Sequence, residues 1–208
     1  MKGKFITFEG CEGSGKSTQL ALFKEYLINN KIDYVFVREP GGTEISEKIR
    51  NLILDVDNSA MTYECEALLY AAARAQLVKE KIIPSLNENK LVFCDRFIDS
   101  SYAYQAVARG LGYGFISDIN AYAINNCMPD CTVFLDISPD KAFRRKGGAD
   151  EGDRIEQSGK DFHEKVYAGY KELALKYPER IADIDCSGSK YETHEKVLAA
   201  LKSRAVIR

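Results

Sequence analysis

Gly10-Cys11-Glu12-Gly13-Ser14-Gly15-Lys16-Ser17 fits the spacing G-x-x-x-x-G-K-[ST], and residues of those types at that spacing hold a chain of phosphates. Glycines at 10, 13 and 15 let backbone N–H groups turn inward around an anion, and a helix starting near Gly15 adds the positive end of its dipole. Lys16 is spaced to reach the β- and γ-phosphates, and the Ser17 hydroxyl to ligate Mg²⁺. Asp95-Arg96 follows the apolar run Leu91-Val92-Phe93-Cys94. A carboxylate at that strand end can hold Mg²⁺ or its waters, and Arg96 can clamp an acceptor phosphate bidentately; the competing reading is a local ion pair. Tyr70 and Arg74, four apart on a helix, project together. That pair suits a planar base, with stacking of about 1 to 3 kcal/mol, or it is a surface cation over an aromatic ring. Ser101, Tyr104 and Gln105 share one helical face, gathering a hydroxyl, a phenol and an amide.

These groups need a scaffold. Phe5-Ile6-Thr7-Phe8 reads as a buried strand ahead of the glycine-rich loop, and Leu20, Phe23 and Leu27 mark an amphipathic helix running to about Asn29 or Asn30. Tyr34-Val35-Phe36-Val37 reads as a second, fully buried strand ending in Arg38-Glu39-Pro40-Gly41-Gly42-Thr43, a loop whose Thr43 caps the helix carrying Ile45, Ile49 and Arg50. A long helix from about Tyr63 to Pro84 has Leu68, Ala72, Ala75, Val78 and Ile82 as its expected buried stripe. Ser100 is placed to cap the next helix, and another is expected from about Phe115 to Asn126. Cys131 to Leu135 reads as a fourth strand and Ile181 to Ile184 as a fifth, with helices after Pro139, from Ile155 to about Tyr177, and at the end of the chain. Strands alternating with helices predict an α/β fold: a doubly wound, five-stranded parallel sheet flanked by helices.

Arg144-Arg145-Lys146-Gly147-Gly148-Ala149-Asp150-Glu151-Gly152-Asp153-Arg154 carries cations, then glycines, then acids. The composition suits a short mobile lid over a γ-phosphate, or a solvated loop. Asn30-Lys31-Ile32-Asp33 matches the pattern by which GTPases read guanine, but a helix of about 14 residues puts it ~20 Å from the glycine-rich loop, so it reads as a polar turn.

A net charge of −2 over 208 residues excludes a general nucleic-acid or membrane surface, since those need clustered cations. No run approaches ~20 apolar residues, and the first residues have no signal core, so a cytoplasmic protein is expected. Six cysteines without a paired framework read as thiols, and Cys127 and Cys131 lack the companion ligands zinc requires. Cys11 reads as oxidation-sensitive, lying near a helix N-terminus and a lysine.

Phe8-Glu9-Gly10 with the glycine-rich loop, Arg38 to Thr43, Tyr70 to Arg74, Asp95-Arg96-Phe97-Ile98-Asp99-Ser100-Ser101-Tyr102-Ala103-Tyr104-Gln105 and Asp153-Arg154-Ile155-Glu156-Gln157 together resemble the bacterial thymidylate kinases, over nearly the whole chain. The resemblance implies a P-loop nucleoside-monophosphate kinase fold in one domain over 1–208 with a lid at about 144–154, acting as a homodimer with Mg²⁺ to transfer a phosphoryl group from ATP to dTMP. It implies ATP contacts from Gly10, Cys11, Glu12, Gly13, Ser14, Gly15, Lys16, Ser17 and Thr18, and a metal site at Ser17 and Asp95. It places Tyr70 where the family stacks a Phe on thymine, Arg74 and Gln105 on the base edge, Ser101 and Glu39 in the same pocket, and Arg50 and Arg96 on the acceptor phosphate. Glu12 then meets the sugar 3′-hydroxyl, and Tyr104 crowds the space of a ribose 2′-OH. Lys16, Arg96, Arg144, Arg145 and Arg154 are the catalytic candidates, with Lys146 beside them.

Beyond Tyr70 for the usual Phe, the chain departs from the family in three places. Gly13 stands where some members carry a loop arginine, Gly147-Gly148-Ala149 stands where such relatives place lid arginines, and Ala106 replaces a frequent Gly. Two alternatives follow: a kinase for a deoxynucleoside or another monophosphate on the same scaffold, and a regulatory module that binds ATP or GTP and hydrolyses it slowly.

Overall fold

A computed structural model describes residues 3–207 except 147–151, and Lys146 in its backbone only. The chain runs β1 (Lys4–Glu9), α1 (Lys16–Asn29), β2 (Tyr34–Arg38), α2 (Glu44–Leu54), α3 (Tyr63–Leu77), α4 (Ile83–Asn87), β3 (Leu91–Asp95), α5 (Ile98–Ser101), α6 (Tyr113–Ile119), α7 (Ala121–Asn126), β4 (Cys131–Asp136), α8 (Pro139–Lys146), α9 (Lys160–Lys176), β5 (Ile181–Asp185) and α10 (Lys190–Ser203). All strand pairs are parallel, in the order β2-β3-β1-β4-β5. This is the five-stranded sheet that the alternation of patterns predicts.

Strand pleating sorts the core. Ile6, Phe8 and Phe93 pack with Phe23 and Leu27 of α1 and Val197 and Leu201 of α10 on one face. Phe5, Val92 and Cys94 point the other way, toward Leu77, Phe97, Ile116 and Ala123. A third cluster joins Phe134 to Tyr104, Phe162, Val166, Tyr170 and Leu173. Strand order reverses at β1, so the loop after it opens where ligands bind in such sheets. Register aligns Phe8 with Asp95 and Asp95 with Arg38, which brings three loops to one rim.

Four sequence expectations change. β2 is an edge strand with only Val37 buried, because it pairs on one side only, with β3. The helix after Tyr63 continues past Pro84 to Asn87 through a π-helical turn at Val78–Ile82, which takes up the carbonyl that proline's ring displaces. Its buried face carries Glu66, Ala67, Ala71, Ala73, Arg74 and Leu77, whereas Leu68 is 51% exposed. The apolar stripe read from spacing therefore starts on the solvent side, and the Tyr70–Arg74 side faces inward. The expected helix from Phe115 to Asn126 is two helices broken at Asn120, whose side-chain amide donates to the Ile116 carbonyl at 2.8 Å. Local capping by Asn competes with helix continuation there.

Candidate active site

The loop between β1 and α1 is built to receive an anion. Gly10, Gly13 and Gly15 have φ of 147°, 74° and 94°, a region that costs residues with a Cβ. A Cβ on Gly13 would meet the Ala142 carbonyl oxygen at 2.7 Å, so this loop is pressed against α8. Gly15 is the N-cap of α1 and supplies no side-chain cap, and the first turn holds no acid. The leading N–H groups of α1 are left for a ligand. Lys16 lies folded across the loop, its Nζ donating to the Gly10 and Cys11 carbonyls at 3.1 Å each. Burial and then the Arg96 charge push its pKa down to about 8, against Asp95, Glu12 and Glu9.

A cleft of about 790 Å³ extends from this loop. The structure brings Glu12, Gly13, Ser14, Gly15, Lys16, Ser17, Thr18, Glu39, Arg50, Tyr70, Arg74, Asp95, Arg96, Ser101, Tyr104, Gln105 and Arg145 to its walls. Gly10 and Cys11 belong to the loop but lie behind the surface. Cys11 is 2% exposed and its thiol is pushed up to about 11 by burial, outweighing Lys16 and Arg96, which overturns the expectation of an oxidation-sensitive thiolate. Arg144 is exposed on α8, and Arg145 donates to the Cys186 carbonyl at 2.6 Å. Arg154 is turned away, donating to the Ile53 carbonyl and to Glu66, both at 2.8 Å. Gly147, Gly148, Ala149, Asp150 and Glu151 of the expected lid lie outside the described residues.

Arg96, in a left-handed backbone conformation with φ 69°, donates Nη1 to the Gly10 carbonyl, the Ser100 hydroxyl and the Tyr170 phenol at 3.0–3.3 Å, and its guanidinium lies 5.2 Å from the centre of the Tyr104 ring. Ser100 does not cap a helix as expected. The cap is Glu9, whose Oε1 accepts from the Phe97 and Ser100 N–H groups at 2.8 and 3.3 Å while Oε2 accepts from the Ser100 hydroxyl and Tyr170. Burial, then the Asp99 charge, raises the Glu9 pKa to about 7, against Arg96 and the two hydroxyl donors. Arg50 donates to the Pro40 carbonyl at 3.0 Å and stays half-buried in the cleft.

Arg74 is 1% exposed, which removes the reading of a surface cation. All five of its N–H groups are engaged: Glu39 takes Nε and Nη2, Ser101 and Asn120 share Nη1, and the Phe97 carbonyl takes the rest. Tyr70 lies one turn earlier on the cleft wall, and burial raises its phenol above the ordinary range. Tyr104 and Gln105 sit in a π-helical stretch, Tyr102–Ala108, a widened turn common at functional sites.

Sequence reasoning missed Glu9, Tyr170, Asn120 and Glu66, which hold the lining residues in place, and Cys186, Gly188 and the first turn of α10 with Lys190 and Thr193, which also line the cleft. Glu66, Tyr70 and Arg74 fall at i, i+4 and i+8, a signal available in the sequence. For Tyr170 only proximity in the fold reveals the role.

Asp95 keeps a buried Oδ1 without a hydrogen-bond partner, and both Asp95 and Ser17 line the cleft. One carboxylate and one hydroxyl fit a hard cation that takes its remaining ligands from phosphates and water. Among the described residues no group of three or more His, Cys, Asp or Glu could hold an ion by itself.

Comparison with known proteins gives the family. The thymidylate kinase family model matches residues 8–197. Thymidylate kinases of Finegoldia magna and Clostridium novyi are 51% and 48% identical to the chain, each over 203 residues, covering 98% and 97% of it and 100% and 99% of the relatives. The crystal structure of thymidylate kinase from Ehrlichia chaffeensis superposes with a TM-score of 0.77 at 33% identity, covering 96% of this chain and 98% of that one. The chain belongs to the thymidylate kinase family.

Proposed function

We propose that this protein phosphorylates dTMP to dTDP with ATP, at the cleft between the glycine-rich loop and α3. The observation that carries the reading is a single cavity with an uncapped helix N-terminus and Lys16 at one end, Arg50 and Arg96 in the middle, and Tyr70 and Gln105 at the other. Phosphoryl transfer asks a protein for positioning and charge neutralisation. Residues 10–18 cradle ATP, and Lys16 leaves the Gly10 and Cys11 carbonyls for its phosphates. Arg50 and Arg96 hold the acceptor phosphate in line. Tyr70 stacks on thymine while Gln105 reads its edge with Arg74, whose Ser101 contact is the one most readily exchanged for a base oxygen. Glu39 anchors Arg74, Glu12 meets the 3′-hydroxyl, and Tyr104 leaves no room for a 2′-hydroxyl.

Ser17 and Asp95 hold Mg²⁺ in this reading, which supplies neutralisation of the phosphate charge. The cation over the transferring group comes from the segment 144–154. Arg145 already lines the cleft; Arg144 and Lys146 stand beside it, and Arg154 serves only after releasing Glu66. We extend the proposal to one domain over 1–208 with that segment as its lid, and to a homodimer through Ile45, Leu52, Val56 and Leu68, apolar and exposed on and beside α2 and α3. A cytoplasmic location is argued from six unpaired cysteines, and no described helix is long and apolar enough to cross a membrane.

The test is ADP release in a coupled assay with ATP, Mg²⁺ and dTMP, dUMP, UMP, CMP, AMP or thymidine. Turnover with dTMP, weaker with dUMP and negligible with ribonucleotides, is expected. No acceptor raising ADP release above the ATP-only background would overturn the proposal.

A further inference from the structure

An amide at a binding wall can offer either its N–H or its carbonyl, and here a buried carboxylate decides which. Gln105 Nε2 donates to Glu66 Oε1 at 3.0 Å. Glu66 is 0% exposed and also accepts from Arg109 Nε and Nη2 at 3.3 Å and from Arg154 Nη2 at 2.8 Å. With two guanidiniums on it, both of its oxygens act as acceptors, so only the nitrogen end of the Gln105 amide can face it. The Gln105 carbonyl must then face the other way. Gln105 lines the cleft while being only 2% exposed, so the end of its amide that Glu66 does not hold is the end left for the cleft.

We propose that Glu66 is a specificity-determining positioning residue: it locks the Gln105 carbonyl toward the bound base, so the pocket accepts a pyrimidine that donates at N3 and rejects one that accepts there. Thymine and uracil carry N3–H; cytosine presents a lone pair. Cytosine would set two acceptors face to face and leave both unpaired, and a site built around a hydrogen bond rejects the wrong partner far more strongly than an apolar pocket rejects a missing methyl. The lock acts on N3 alone, so it leaves the choice between dTMP and dUMP untouched. It is carried by α3, the helix that also presents Tyr70 and Arg74. The inference rests on the reading of the cleft as a dTMP site.

The test compares kcat/KM for dTMP, dUMP and dCMP in the wild type, Glu66→Gln and Arg109→Lys. In Glu66→Gln the neutral amide can itself donate to Gln105, so Gln105 is free to turn over. The dTMP-to-dCMP ratio is expected to fall at least about tenfold, with the dTMP-to-dUMP ratio unchanged. Arg109→Lys keeps the carboxylate and should keep the dCMP discrimination. A ratio within twofold of wild type in a cooperatively melting Glu66→Gln protein overturns the proposal, as does an equal loss in Arg109→Lys, which would mean general loosening.

A second measurement needs no variant. Protonation of cytosine N3 supplies the missing donor, so dCMP affinity relative to dTMP should strengthen by up to about tenfold per unit as pH falls from 7.5 to 5.5; a flat ratio refutes the lock. Failure of the underlying reading looks different, because then the wild type shows no dTMP turnover at all.

Discussion

Replacing Arg74 by Met should unfold this protein more than it should weaken any single ligand contact. The guanidinium is 1% exposed and is paired with Glu39, itself 3% exposed at the side chain, with Nη2 2.6 Å from Oε2. Removing one partner of a buried pair costs about 3–5 kcal/mol, because the other charge stays buried. The Asn120 side-chain oxygen and the Phe97 carbonyl lose a charged donor as well, at about 1 kcal/mol each. A loss of about 5–7 kcal/mol lowers Tm by roughly 10–28 °C in a protein of this size. The pH dependence identifies the cause. Burial raises the Glu39 pKa to about 7 even with Arg74 opposing it, and without Arg74 it moves higher. A raised carboxyl contributes stability at low pH that is lost as pH rises through its folded value. Wild type completes that loss near pH 7, whereas the variant goes on losing. The gap between them should be smallest at pH 5 and widen above pH 7 by about 1.4 kcal/mol per unit. Thermal melts of both proteins from pH 5 to 9 measure it. A variant that melts within about 5 °C of wild type at pH 8, or a gap independent of pH, would refute the reasoning.

Glu9→Gln should flatten the wild-type stability profile between pH 4.5 and 7, since the raised Glu9 pKa of about 7 makes the wild type lose stability as pH rises through that window; an unchanged slope in urea titrations counts against it. Gly13→Ala should cost about 1–3 kcal/mol, from a φ of 74° and the Ala142 carbonyl 2.7 Å from the new Cβ, and a melting temperature equal to wild type would contradict the close approach to α8. Mild peroxide should leave both activity and the mass of the Cys11 peptide unchanged, because the thiol is buried and its pKa is pushed up to about 11; oxidation at Cys11 ahead of exposed Cys65 would disprove this.

The sheet was legible because its signals are local. Short runs rich in apolar residues mark all five strands, although Asp183 interrupts the fifth. The glycine-rich loop was legible because its chemistry is fixed by spacing. What spacing could not give is which side of a helix faces in. Leu68 and Ala72 follow the expected stripe, yet α3 buries Glu66 and Arg74, because a charged residue whose donors all find partners packs as well as an aliphatic one. Ser100 looked like a cap by type and position, but a carboxylate from β1, 91 residues earlier, reached the N–H groups first. Partners so distant in sequence leave no periodic trace.

The two ends of the cleft are prepared differently, and the difference suits their tasks. At the phosphate end polar groups await a ligand: α1 has no side-chain cap, Ser14 Oγ and Asp95 Oδ1 are buried without partners, and Lys16 is bound only to carbonyls of its own loop. Such groups are costly until an anion and its counter-cation satisfy them, which favours tight binding of any nucleotide carrying phosphates. At the other end Glu39 Oε1 is buried without a partner, while Arg74 is held by Glu39, Ser101, Asn120 and Phe97, and Gln105 and Ser101 are each held by a charged neighbour. A preorganised wall adds little to affinity for a poor match, but it penalises any base whose donors and acceptors run the wrong way. Affinity is thus concentrated where nucleotides are alike and selection where they differ.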